Sequence, residues 1–210
     1  MKNITLLLLY LLAFNISKAQ QKAVTETGEQ VILFENGSWE YENKEDSIEK
    51  ETPTSTKVFK TDEEATFLLK SSKLDFGFYL DPTLWSFSKA TDNADAEYEL
   101  ELKGEDLYGM IICEKLEIPI ESLKAIAIQN GRDAAPDLKV VTEEYRIVNG
   151  IKVLHLQMNG TLQGIKFSYY GYYYSGSDGS VQFITYTSQA LLDSYKEDCE
   201  KILNGIVKLN

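Results

Sequence analysis

Basic residues are scarce in this 210-residue chain, 21 Lys and Arg against 33 Asp and Glu, for a formal charge of -12. That balance excludes the Lys/Arg clusters that reward binding to nucleic acid or to anionic lipid surfaces. No C-x-x-C redox pair is present, and the only histidine is His155. The sequence carries no catalytic, cofactor-binding or metal-ligand motif. Nor does any apolar run reach the roughly twenty residues a membrane-spanning helix needs. The run at residues 4–14 comes nearest. It follows Met1-Lys2-Asn3 and leads into Ser17-Lys18-Ala19, a secretory signal with small residues where a signal peptidase reads and cleavage expected after Ala19. No cysteine follows the run, so no lipid attachment is expected. The exported chain would begin at Gln20 with 191 residues and, having lost Lys2 and Lys18 but no acid, a charge of -14. The expected location is periplasmic or extracellular.

A chain of this length buries about two thirds of its unfolded surface and needs no metal or disulfide scaffold. Cys113 lies in an apolar run, and Cys199 sits at helical spacing among Leu192, Tyr195, Ile202, Leu203 and Ile206. An oxidising compartment permits a bridge between them, and spacing equally allows two inert buried thiols.

Residues 30–35 read as a strand, Asn36-Gly37 as a type I′ turn and Ser38-Trp39-Glu40-Tyr41 as the return strand of a small hairpin. Residues 43–57 hold one apolar side chain, Ile48, and read as a disordered linker, so the main domain is expected over 58–210. Within it, strands are expected at 76–80, 84–87, 97–102 and 107–113. A helix opens at Pro119 and stops near Asn130-Gly131. Then comes a four-strand meander over 140–148, 151–158, 165–174 and 180–187, with turns at Asn149-Gly150, Asn159-Gly160 and 175–179. Ser188 is the expected N-cap of a final helix reaching about Leu203. Asn36 and Asn159 both begin N-glycosylation sequons, for which turn chemistry is the simpler explanation. Strands, helix, four strands, helix define an α+β fold: an antiparallel sheet covered by two helices and preceded by the N-terminal hairpin.

This order, with Pro82-x-x-Trp85 after the first strand, Val148-Asn149-Gly150 in a hairpin, a Tyr-rich strand and a closing helix, resembles the PsbP-like fold over 58–210. The resemblance implies a binding or accessory protein rather than an enzyme, and assigns no functional residue. An exported hydrolase with a site near His155 is the alternative. It would require a nucleophile, such as Cys113, and an orienting acid beside the imidazole. The acidic stretch 92–97 departs from an EF-hand loop, Glu97 standing where a glycine is needed, and reads as a solvated loop. The glycine-rich 175–180 joins two strands and is a hairpin turn rather than a phosphate cradle.

The aromatic strand is the best functional candidate. Phe167, Tyr169, Gly171 and Tyr173 point to one face, and Tyr170, Tyr172 and Tyr174 to the other. Flanked by Ser168, the even-numbered tyrosines are the expected open face for a protein or small-molecule partner, with Trp39 and Tyr41 as a second contact. Packing within a covered sheet explains the same residues.

Overall fold

The computed structural model describes residues 21–25, 30–34, 39–41, 52–91 and 93–209. The signal-like segment and most of the expected linker lie outside them. The chain divides into two compact units, residues 1–50 and 51–210.

In the first unit, β1 (Gln21–Val24), β2 (Gln30–Leu33) and β3 (Trp39–Tyr41) form an antiparallel sheet in that order. The expected hairpin therefore gains a third strand. Its register pairs Leu33 with Trp39, whereas a two-residue Asn36-Gly37 turn would pair Leu33 with Glu40. The turn residues themselves lie outside the described residues.

The second unit is built on an eight-stranded sheet. Its strands are β4 (Thr54–Phe59), β7 (Trp85–Lys89), β8 (Tyr98–Leu102), β9 (Tyr108–Glu114), β10 (Lys139–Val148), β11 (Ile151–Leu162), β12 (Ile165–Gly176) and β13 (Gly179–Ser188). They lie in the order β4-β10-β11-β12-β13-β9-β8-β7. All pairings are antiparallel except the edge pair of β4 with β10. Residues 54–57 are thus sheet rather than linker: an edge strand needs only its backbone groups paired, so it forms without an apolar pattern.

Two tight turns set the meander's register. Asn149 and Gly150 have φ of 48° and 83°, and Gln163 and Gly164 have 51° and 84°, the left-handed pair that a type I′ turn requires. The second turn was expected at Asn159-Gly160. Instead β11 runs through both residues, and Asn159 Oδ1 accepts a 2.8 Å hydrogen bond from Ser168 on the neighbouring strand. Gly160 is needed for close approach: a Cβ there would lie 3.1 Å from both Ala135 and the Phe167 ring.

The first helix, α1 (Ile120–Ala134), runs past the expected stop at Gly131. That glycine is buried against Leu138, whose methyl would stand 2.7 Å from an added Cβ, so it serves packing rather than termination. The second helix, α2 (Leu192–Leu203), follows an N-cap residue, Leu191, that makes no side-chain capping bond and lies three residues after the C-terminal end of β13. Ser188 is the last residue of β13 and no N-cap. A second small sheet, β14 (Ile206–Lys208), β6 (Phe76–Leu80) and β5 (Phe67–Lys70), completes the unit. β6 had been expected in the main sheet.

The large sheet thus has two covered faces. Helix α1 supplies Leu123 and Ala127 against Leu154, Leu156, Met158, Tyr173 and Ile184. Helix α2 and the small sheet bury Val153, Tyr170, Tyr172, Phe183 and Trp85 with Phe76, Phe78, Cys199 and Ile202 on the other side. The rings of Phe76 and Tyr174 lie 5.0 Å apart, and those of Phe78 and Phe183 5.1 Å apart, locking the small sheet to the large one. Among the described residues no helix is long and apolar enough to cross a membrane.

Candidate functional site: a half-covered cleft beneath the first helix

The tyrosines expected on an open face are buried. Tyr170 and Tyr172 are 1% and 0% exposed and Tyr174 is 8% exposed, because the small sheet adds to the cover that a helix alone would leave incomplete. Their hydroxyls are spent on internal bonds. Arg146 of β10 donates to Tyr172 at 3.0 Å and to Tyr170 at 3.3 Å, and pairs with Glu144 at 2.7 Å and Glu200 at 3.3 Å. Tyr170 donates to Glu200 at 2.8 Å and Tyr172 to Asn204 at 2.9 Å, tying β12 to α2. The guanidinium also lies 4.6 Å from the Phe59 ring centre. Burial alone would lower the Arg146 pKa, but Tyr172, Tyr170 and Glu144 outweigh it and hold the charge. Burial pushes the Tyr172 hydroxyl up to about 12. Tyr174 donates to Asp178, which also pairs with Lys208 of β14 at 2.8 Å. The group is a structural clamp rather than a docking surface.

His155 lies beneath the same clamp, 1% exposed, its ring centre 4.3 Å from that of Tyr170. Neither ring nitrogen has a hydrogen-bond partner. Burial, with Arg146 and Lys196 adding repulsion, pushes its pKa down to about 3. A catalytic base needs an orienting acid and a nucleophile within hydrogen-bond reach, and this imidazole makes neither bond. Cys113 and Cys199 are free thiols, both fully buried, raised by burial to about 12 and about 11. On β3 the Trp39 side chain is half exposed, while that of Tyr41 lies outside the described residues. Among the described residues no group of three or more His, Cys, Asp or Glu could hold a metal ion. Glu97, from the acidic stretch, accepts hydrogen bonds from Ser71 Oγ and the Ser72 amide, anchoring the preceding loop.

The opening lies on the other face. Helix α1 packs over β11 and β12. The same face continues across β13 and β9 through Gln182, Ile184, Tyr186, Tyr108, Met110 and Ile112, in the register Tyr186↔Tyr108, Ile184↔Met110 and Gln182↔Ile112. Where the helix ends its cover, a cleft of about 350 Å³ remains. Met110, Ile112, Met158, Tyr169, Tyr173 and Ile184 form its apolar lining, and Gln182 lies among them. Asn130 and Asp133 of α1 and Asn93 and Asp95 of the β7–β8 connection form its polar edge, Asp95 and Asp133 being exposed. Tyr173 is fully buried, yet its hydroxyl has no hydrogen-bond partner. Beyond the cleft an aromatic row crosses the sheet, with ring centres 4.9 Å apart for Phe167 and Tyr169, 6.1 Å for Tyr169 and Tyr186, and 5.6 Å for the stacked Tyr186 and Tyr108.

Sequence reasoning found the aromatic strand and its two faces but chose the wrong face. The odd-numbered residues of β12 reach the cleft, through Tyr169 and Tyr173. The contributions of β9 and β13 depend on strand order, for which residues 108–112 and 180–186 carry no local signal.

The fold is PsbP-like. In comparison with solved structures, the chain is similar to CyanoP, the cyanobacterial PsbP of Synechocystis sp. PCC 6803, with a TM-score of 0.51 and 12% identity over 68% of this chain and 91% of that one. Looser likenesses are to PA94 of Pseudomonas aeruginosa, a protein of unknown function and putative regulator (TM-score 0.44, 10% identity, 69% of this chain and 97% of that one). LpqN of Mycobacterium tuberculosis, involved in cell envelope biogenesis, follows with a TM-score of 0.36 and 8% identity over 72% of this chain and 82% of that one. No family model and no curated protein matches the sequence. At these identities the likeness concerns the fold, not the activity.

Proposed function

We propose that this protein is an exported, non-catalytic binding or accessory module of the cell envelope, and that it takes its ligand in the cleft beside α1. The observation that carries this reading is the cleft itself. It has a volume of about 350 Å³, within the range of small-molecule sites, a lining of Met, Ile and Tyr, and a few polar groups at its edge. The short apolar run ending in Ser17-Lys18-Ala19 supports export. Burial of His155 without an orienting acid removes the base that a hydrolase reading needs.

Native mass spectrometry of the full chain purified from its own envelope tests the reading. The expected result is a co-purifying small molecule at one per chain, lost in Ile112→Trp, a substitution that fills the cleft from a partly exposed position. Retention of the molecule by a folded Ile112→Trp variant overturns the assignment.

A further inference from the structure

The cleft holds one polar side chain that the fold leaves unused. Gln182 stands on β13 in the middle of the sheet, opposite Tyr173 of β12 and Ile112 of β9, where the ladder takes up its backbone groups. Its side chain is 7% exposed and lines the cleft, on the face that Ile184 and Tyr186 share. Among the described residues its carboxamide has no hydrogen-bond partner, and, unlike the Tyr173 hydroxyl, its oxygen and nitrogen keep accessible surface. Its neighbours Val181, Phe183 and Ile184 are buried and apolar. An unpaired amide at such a position costs stability relative to an apolar side chain of the same size, and a ligand that pairs with it recovers the loss in a site sheltered from water.

A carboxamide offers a donor and an acceptor in one plane. Its complement is a ring edge with an acceptor and a donor side by side, the pattern by which glutamine pairs with a base edge. The rest of the lining suits a thin body: α1 contributes only Ala127 and Gly131 to the apolar wall on its side, and the sheet contributes Met110, Met158 and Tyr169, thioether and aromatic groups that favour flat, polarizable rings. No Lys or Arg lines the cleft to replace the lost hydration of an anion. Resting on the cleft as the binding site, we infer that its ligand is an uncharged, flat heterocycle of the nucleobase kind, with a donor next to an acceptor on the edge that meets Gln182. The carboxamide reads the edge, and the Met and Tyr lining holds the ring.

Two matched pairs of probes isolate the edge. 9-Methyladenine and 1-methyluracil each carry a donor beside an acceptor; 9-methylpurine lacks the amino donor, and 1,3-dimethyluracil has its donor capped by a methyl group. In calorimetric titration of the full chain, at least one of the two intact-edge rings should bind, about tenfold more tightly than its partner, the scale of one bidentate pair. Adenine-9-acetate, which adds a carboxylate, should bind about tenfold more weakly than 9-methyladenine. In Gln182→Met, which keeps the length of the side chain without donor or acceptor, the intact ring should fall to the affinity of its partner. The melting temperature of the unliganded variant should not drop, because no internal bond is lost.

Failure of both intact-edge rings to bind wild-type protein overturns the heterocycle assignment, as does equal binding within each pair. Discrimination that survives in Gln182→Met removes Gln182 from the recognition, and a lower melting temperature in that variant means that the amide is bonded within the fold. Equal binding of adenine-9-acetate and 9-methyladenine overturns the exclusion of anions. The co-purified molecule decides the cleft independently: one lost in Ile112→Trp but held unchanged by Gln182→Met leaves the cleft as the binding site and overturns the heterocycle.

Discussion

The two faces of the large sheet come from the same strands, alternate residue by residue, and have opposite characters. On the α2 face, a helix and a second sheet bury Tyr170, Tyr172 and His155, and Arg146 gathers the polar atoms of β10, β12 and α2 into one network. On the α1 face, one helix covers β11 and β12, leaving the aromatic row of β12, β13 and β9 half exposed and a cleft at its edge. Aromatic residues are therefore no guide to an open surface: the strand is tyrosine-rich on both faces because each tyrosine brings a large apolar body and one polar atom that must be satisfied. What separates the faces is how each hydroxyl is satisfied. Tyr170 and Tyr172 find partners within the fold, and Tyr173 does not.

The largest expected effect lies in the clamp. Arg146→Ala leaves Tyr170, Tyr172, Glu144 and Glu200 facing an unfilled buried site, and should cost about 3–5 kcal/mol by denaturant unfolding, the usual penalty for removing one partner of a buried charge pair. Glu200 is partly exposed, so water recovers part of its loss and the lower end of that range is expected. A cost below about 1 kcal/mol would show that the two faces are equally dispensable, and the comparison would fail.

His155 makes the closed face acid-sensitive. Its folded pKa, down to about 3, lies below the ordinary 6.5. The unfolded chain therefore binds a proton that the folded chain refuses between these values. Its contribution to stability is complete above pH 6.5 and is lost as the pH falls through the window, by up to about 1.4 kcal/mol per pH unit. His155→Leu fills the same apolar surroundings without a proton to bind. Relative to wild type, it should gain about 2–3 kcal/mol on going from pH 7 to pH 4.5. Parallel stability curves for the two proteins over that range would mean that the imidazole finds a partner in solution.

Much of the scaffold was legible because local chemistry dictates it. The Asn149-Gly150 turn follows from the left-handed conformations those residues tolerate, and the strand alternation of 151–158 and 165–174 follows from burial on both sides. The misread features depended on distant neighbours. Gly131 and Gly160 were taken for stops and turns, because a glycine selected for close approach to Leu138 or Phe167 looks the same in sequence as one selected for a bend. The strands β5 and β14 have four and three residues, too short to show a period, yet with β6 they form the second sheet that helps close the even-numbered face. Without that sheet, the choice between Tyr170 and Tyr173 had no physical basis in the sequence.

On the half-open face the expected effects are smaller. Tyr108 and Tyr186 stack at 5.6 Å, each only partly buried. A double-mutant cycle with alanine at both positions should give a coupling of about 0.5–1.5 kcal/mol, the worth of an aromatic pair beyond its area. Coupling above about 3 kcal/mol would mean that this row is as tightly built as the clamp opposite.

The smallest expected effect, none at all, concerns the two thiols on the closed face. A bridge would require α2 to lie over β9, the strand that carries Cys113. The helix instead packs on β12 and β13, where Cys199 meets the Thr185 side chain. Cys113 pairs across the ladder with Val181, and Thr185 pairs with Gly109. Four residues of strand therefore separate the two levels, about 13 Å at the usual rise, whereas a disulfide needs Cα atoms within about 7 Å. Reductant should leave the melting temperature unchanged, and alkylation of the denatured, unreduced protein should label both thiols. A single intramolecular bridge recovered by mass spectrometry would require α2 to shift along the sheet by at least about 6 Å, roughly one helical turn. That shift would break the Tyr170–Glu200 and Tyr172–Asn204 bonds, and with them the clamp that distinguishes this face from the other.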